Sequence, residues 1–448
     1  MNTFQLKFKP VLILCLIGFV VASCGNDEKS ESSDSEKDSG KVEQTSILKN
    51  DKENKDSKLS KKANSRIAIE EDDETSPESP EGNTAPIALD CDYFRKNPNT
   101  VLINNLDSTV DYMISCMTRI DGKLIIEEGV VIAFDQDAGM YFTDKSTFKM
   151  QGTAEKPIIL TGKEQTKGFW NGVLSKSSSS NNKMSHVTID YAGGSKAALE
   201  IDNEDSSLKL EHCTLSNSKN YGMIVHDNVG KDVHNIFMEN CTFTKNKIPF
   251  KTDASRLRLF NGTNSFSGND EDYIDLNGGT LYGDATWANL NVPYFLQSDF
   301  RYRDGVLTVE AGTEIVMPAQ SWMHLQDKAS LVMVGTEEDP IIIRGEHDVP
   351  GFWNQLTIDS SSPLNEIGHV VFKNAGQTTK KPNGAVFLKR SKYLKIHDVV
   401  FSKCFAYGVS IQDLNKSHLE YANLKLDNTS KLFSDWRGQE ISVPDNLQ

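Results

Sequence analysis

An excess of basic charge, a membrane-length apolar run and closely spaced cysteines are what this chain of 448 residues lacks. Lys and Arg number 48 against 63 Asp and Glu, a net charge of −15. Such a chain repels phosphate backbones instead of releasing their counterions, which argues against nucleic acid as a partner. The seven cysteines form no CxxC, and no Cys/His spacing among them suggests zinc. The apolar run "VLILCLIGFVV" from Val11 is too short and one-sided for a confident membrane span. Amphipathic helical patterning is also absent from the trunk, leaving an all-β chain.

What is present starts with the N-terminus. Lys7 and Lys9 precede the apolar run, which ends in "VASCGN", and this order reads as an export signal. Val21-Ala22-Ser23-Cys24 resembles the lipobox of bacterial lipoproteins. That resemblance implies a signal peptide over 1–23 and a mature chain lipid-anchored through Cys24. Asp27 and Glu28 look like the export signals that carry some Gram-negative lipoproteins to the outer face, so the expected location is the outer membrane facing the exterior, with the periplasmic face as the alternative. Residues 24–85 are charged and almost without aliphatics, and such a composition cannot offset its chain entropy. The segment is expected to be a disordered tether reaching on the order of 45 Å.

The trunk repeats itself. "GFWNGV" at Gly168 returns as "GFWNQL" at Gly351, an offset of 183 residues. The same offset aligns "DGKLIIEEG" at Asp121 with "DGVLTVEAG" at Asp304, "FKMQGTAEKPIILTG" at Phe148 with "LVMVGTEEDPIIIRG" at Leu331, and "SHVTIDYAGG" at Ser185 with "GHVVFKNAGQ" at Gly368. Self-similarity at a fixed period marks repeat architecture. Within each stretch, short β-branched or aromatic runs are punctuated by Gly, Asn, Asp and Ser, and "LEHCTLSNSKNYGMIV" is followed by "IFMENCTFTKNKIPF", placing Cys213 and Cys241 in equivalent slots. Stacked parallel coils and a duplicated antiparallel β-sandwich both fit such strands, and the local repeat favours the coils.

These motifs resemble the right-handed parallel β-helix proteins with pectate-lyase-like coils. The resemblance covers most of Ile120 to about Leu424. It implies a solenoid of two homologous halves, 121–290 and 291–424, between an N-terminal cap over 86–120 and a C-terminal cap or tail over 425–448. Caps are needed because an open last coil exposes unpaired strand edges. Cys91 and Cys116 flank the first cap, where a disulfide would staple it to the first coil, whereas Cys213 and Cys241 read as buried, reduced core residues.

Candidate site residues are few. Trp170 and Trp353, in the repeated motif, are either sugar-stacking platforms or lids over the core, and packing is the reading favoured for a large aromatic. Asp270, Glu271, Asp272 and Asp275 in "GNDEDYID" form a weak Ca²⁺ candidate, with Lys251, Arg256 and Arg258 just upstream. No other metal or cofactor is expected. His186 and His369 share one slot in the two stretches, which suits a role in the coil more than catalysis. The polygalacturonase "GHG" and paired-Asp motifs and the pectate-lyase "WIDH" and "RxPxxR" motifs are missing, so no catalytic residue is assigned. The expected function is a monomeric, non-enzymatic envelope lipoprotein binding a polysaccharide or surface protein; the alternative is a polysaccharide lyase or glycoside hydrolase.

Overall fold

The computed structural model describes residues 85–105, 108–227, 229 and 235–443, which belong to one compact unit. The export signal, Cys24 and most of the tether lie outside the described residues.

A single residue in the left-handed region turns a chain through a sharp corner, and Asn, Asp and His adopt that region more readily than other side-chain-bearing residues. Such residues recur coil after coil. His186, His212 and Asn240, with φ of 49°, 54° and 53°, occupy one corner, and Tyr191, Asn217 and Lys245 the next. A small buried residue follows each of them: Val187, Cys213 and Cys241 at the first corner, Ala192, Ser218 and Asn246 at the second. These corners separate strands of three to six residues whose alternate side chains point inward. The inward ladder Met150, Met184, Leu210 and Met238 shows the register, since each residue pairs with the next in parallel. Like side chains therefore stack about 4.8 Å apart along the core.

The result is an all-β parallel solenoid of about 14 turns. Every pairing between named strands is parallel among the described residues, which excludes the antiparallel sandwich. A thirteen-stranded sheet runs nearly the whole length, from Met117–Ile120 to Lys425–Asp427. Seven-stranded and six-stranded sheets accompany it through the N-terminal part, and an eleven-stranded sheet through the C-terminal part.

The two aligned stretches occupy different faces. Ile158–Gly162 lies in the seven-stranded sheet, whereas its sequence counterpart Ile341–Gly345 lies in the thirteen-stranded sheet, the one that also holds Gly172–Ser175. A second difference is that Trp322–Val334 continues as one strand of 13 residues where the first stretch breaks at a turn after Phe142. One part of this long strand pairs with Gln355–Ser360 and another with Glu366–Gly368, which merges two faces into the eleven-stranded sheet.

Parallel pairing starts at Ile87–Leu89 and ends at Lys431–Asp435, further out on both sides than 121 and 424. At the N-terminal end a short helix, Tyr93–Lys96, buries Phe94, and a disulfide joins Cys91 to Cys116 with Cα atoms 5.9 Å apart. Cys213, Cys241 and Cys404 are unbridged and buried, and burial pushes the Cys404 thiol up to about 12.

Candidate functional site

Outward-facing side chains of the thirteen-stranded sheet form rows as regular as the core. One row runs Glu200, Ile224, Lys251, Asp275, each in register with the next. The residues beside them point the other way and build the core: Leu199, Met223, Phe250 and Ile274 are fully buried. Charged residues therefore sit directly above an apolar interior, and their burial needs compensation.

Compensation is local and pairwise. Asp275, with 4% of its side chain exposed, accepts from Lys251 Nζ at 2.8 Å, from the Tyr221 hydroxyl at 2.7 Å and from Gln297 Nε2 at 2.8 Å. The Lys251 ammonium also lies 5.5 Å from the Tyr221 ring centroid. Burial, reinforced by the hydrogen bond to Asp275, pushes the Tyr221 hydroxyl well above its ordinary value, so it remains a neutral donor. On the other side Glu200 faces His226 Nε2 at 3.1 Å and Lys196 Nζ at 3.5 Å. Between the two clusters lies a groove of about 390 Å³. Its lining includes Ile224 and Val225, the ring of Tyr221, and the amides of Asn220 and Asn277.

This arrangement sets limits on chemistry. Glu200 and Asp275 are three rungs apart, on the order of 14 Å at the usual strand spacing. Glycosidase carboxylates lie about 5–5.5 Å apart in retaining enzymes and about 6.5–9.5 Å in inverting ones, so this pair cannot flank one glycosidic bond. Tyr221 is held in its acid form by burial and by the same carboxylate that pairs Lys251, the opposite of what a proton-abstracting base requires.

The residues singled out in the sequence are dispersed. Trp170 and Trp353 are both wholly buried. Trp170 stacks on Phe134 at 4.0 Å and donates its indole N–H to the Asp190 carbonyl; Trp353 donates to the Lys373 carbonyl, each at 2.8 Å. Neither indole presents a face on which a sugar could stack. The acidic quartet does not assemble into a cation shell. Asp270 pairs with Lys167 at 3.0 Å, Glu271 accepts from the Tyr273 hydroxyl, and Asp272 caps the backbone N–H groups of Gly268 and Asn269. Only Asp275 lies beside the groove, beneath the lining residues Lys251 and Tyr221. Of the basic residues upstream, Lys251 joins it there, Arg256 is buried beside Asp253, and Arg258 donates to the Asp284 carbonyl.

His186 and His369 share a corner conformation but not surroundings. His186 stacks on His212 at 4.7 Å, whereas His369 faces Asp398 and His397. Sequence reasoning did not single out Glu200, Tyr221, His226, His397 or Asp398. The signal for the last two was available: "GHV" at Gly368 precedes "HDV" at His397 by about one coil, so the three polar residues must share a corner. For the groove no such signal exists, because its members are brought together only by the register of the coils. Compared with family models, with curated proteins and with solved structures, the chain has no match.

Proposed function

We propose that this chain is a cell-envelope lipoprotein whose right-handed β-helix, made of two duplicated halves, binds a glycan without cleaving it. The groove between Glu200 and Asp275 carries the binding part of this reading. Lys196 and His226 are paired with Glu200 and Lys251 with Asp275, so beside the exposed Asp227 carboxylate the groove offers a ligand an apolar floor, the Tyr221 ring and the amides of Asn220 and Asn277. That lining suits an uncharged sugar, which offers C–H faces to stack and hydroxyls to hydrogen-bond. The lipobox-like Val21-Ala22-Ser23-Cys24 and the charged tether support display at the outer membrane, on its exterior face.

Two measurements test the two parts separately. Retardation of the purified chain in gels containing a panel of neutral and acidic polysaccharides is expected with a neutral polymer, and Tyr221→Ala should weaken it about tenfold. Release of unsaturated ends would replace binding by lyase chemistry, and retention by acidic polymers alone would overturn the ligand class. Mass spectrometry of the mature protein is expected to find a diacylglyceryl-modified Cys24 as the first residue. An unmodified Cys24, or a mature chain that starts elsewhere, removes the anchor and leaves the groove untouched.

A further inference from the structure

A second constellation lies far along the solenoid from the groove and is independent of it. His369 occupies the left-handed corner between Glu366–Gly368 and Val370–Lys373, with φ 49°. One coil on, His397 ends the strand Tyr393–His397, and Asp398 occupies the matching corner with φ 53°. His397 Nδ1 lies 2.9 Å and His369 Nε2 3.8 Å from the same atom, Asp398 Oδ2. One donor atom from each of the three side chains lies within 4.8 Å of the others, and among the described residues this is the one such group.

We propose that His369, His397 and Asp398 bind a Zn²⁺ ion. A tetrahedral ion with ligand bonds of about 2.0–2.1 Å has donor atoms about 3.3 Å apart, and the two observed distances bracket that edge. Two imidazoles and a carboxylate select a borderline cation of this kind over Ca²⁺ or Mg²⁺, which take oxygen ligands.

Three further features show that the ligands are already oriented. His397 Nε2 is engaged at 3.0 Å by Glu366 Oε1, which leaves Nδ1 for the metal; carboxylates hold zinc-binding imidazoles in this way. Glu366 is in turn fixed by Lys395 Nζ at 2.7 Å. Asp398 Oδ1 accepts from Asn423 Nδ2 at 3.0 Å, leaving Oδ2 free to face the histidines. Room for the His397 ring depends on Gly368, its partner in the strand register: a Cβ there would lie 2.5 Å from His397 Cε1. The aligned stretch carries Ser185 at that position, pairs it with Glu211 where the second site has His397, and places His212 in the corner that Asp398 occupies here.

The ion would join two successive coils, and three protein ligands leave a coordination position for water on these partly exposed side chains. The site is tested by Zn²⁺ titration of the intact chain against a chromophoric chelator. Wild type is expected to take one ion per chain at this site. His369→Ala and Asp398→Asn should weaken binding by about 100-fold or more, and Glu366→Gln by about 10–100-fold. Gly368→Ala keeps every ligand but displaces the His397 ring, and should also weaken binding, whereas His186→Ala should not. Zn²⁺ should raise the melting temperature of wild type and not of Asp398→Asn. Co²⁺ bound to wild type should give the d–d absorption of a four- or five-coordinate ion, a readout that needs no variant. Absence of saturable binding, binding unchanged in both ligand variants, or the weak absorption of octahedral Co²⁺ would each overturn the assignment.

Discussion

Replacing either buried tryptophan of the repeated motif by alanine is expected to destabilise the protein by about 3–5 kcal/mol. Trp170 fills the core against Phe134 with their rings nearly parallel, at an interplanar angle of 4°, and Trp353 packs beside Phe372. Both side chains are without solvent exposure, so truncation removes a large apolar group and leaves a cavity that stacked coils can close only by breaking register. The indole N–H bonds are lost as well, leaving the Asp190 and Lys373 carbonyls without those donors. Chemical denaturation monitored by circular dichroism provides the measurement. Trp436, with 46% of its surface exposed, is the internal control and should cost well under 1 kcal/mol when replaced. Losses below about 1 kcal/mol at Trp170 and Trp353 would show that the motif does not hold the core together. The glycan binding proposed for the groove should survive each substitution under conditions where the variant is folded.

The second large effect is expected at residues that are polar and inside. Asn182 and Asn365 are fully buried. Asn182 Oδ1 accepts from the Phe148 N–H at 3.0 Å, and its Nδ2 donates to Ser177 Oγ at 2.7 Å and to the Ser207 carbonyl at 2.9 Å. Asn365 repeats this, accepting from the Leu331 N–H and donating to the Ser360 and Tyr393 carbonyls. One side chain thus satisfies backbone groups on the coils before and after it, at a bend where the ladder itself cannot. Asn→Leu conserves approximate volume and adds apolar surface, so the hydrophobic term alone gives a gain. The unpaired buried groups left behind cost about 1–3 kcal/mol each, and with three partners affected the hydrogen-bond term wins. Asn182→Leu and Asn365→Leu are each expected to lose roughly 3 kcal/mol or more in the same denaturation experiment. A neutral or stabilising outcome would mean that the flanking coils shift and pair those groups elsewhere.

Much of the solenoid could be read before any coordinate. Equivalent cysteines at 213 and 241 marked one coil, because a small inward residue after a corner is required wherever the chain turns over a packed interior. The constant offset of 183 marked the longer similarity. Less legible was which face each stretch would use. Ile158–Gly162 and Ile341–Gly345 are alike in sequence yet lie in different sheets. A run of alternating apolar residues specifies an inward side and says nothing about which of the solenoid's faces it will extend. Similarly, the acidic turn at Asp270 to Asp275 looked like one cluster along the chain, but alternation and the corner preceding Ile274 send its members to four separate partners.

By itself the amino-acid sequence determined the all-β character, the coil period and the lipobox-like start, and it favoured packing over sugar stacking for the repeated tryptophans. These follow from local spacing and from the need to bury apolar side chains, which act along the chain. Tertiary structure alone decided that Tyr221, His226 and Lys251 line one groove, with Glu200 and Asp275 as their partners, and that His369 meets His397 and Asp398. Those meetings depend on how many residues each coil spends between rungs, because parallel stacking places residues some 20 to 34 positions apart within one strand spacing of each other.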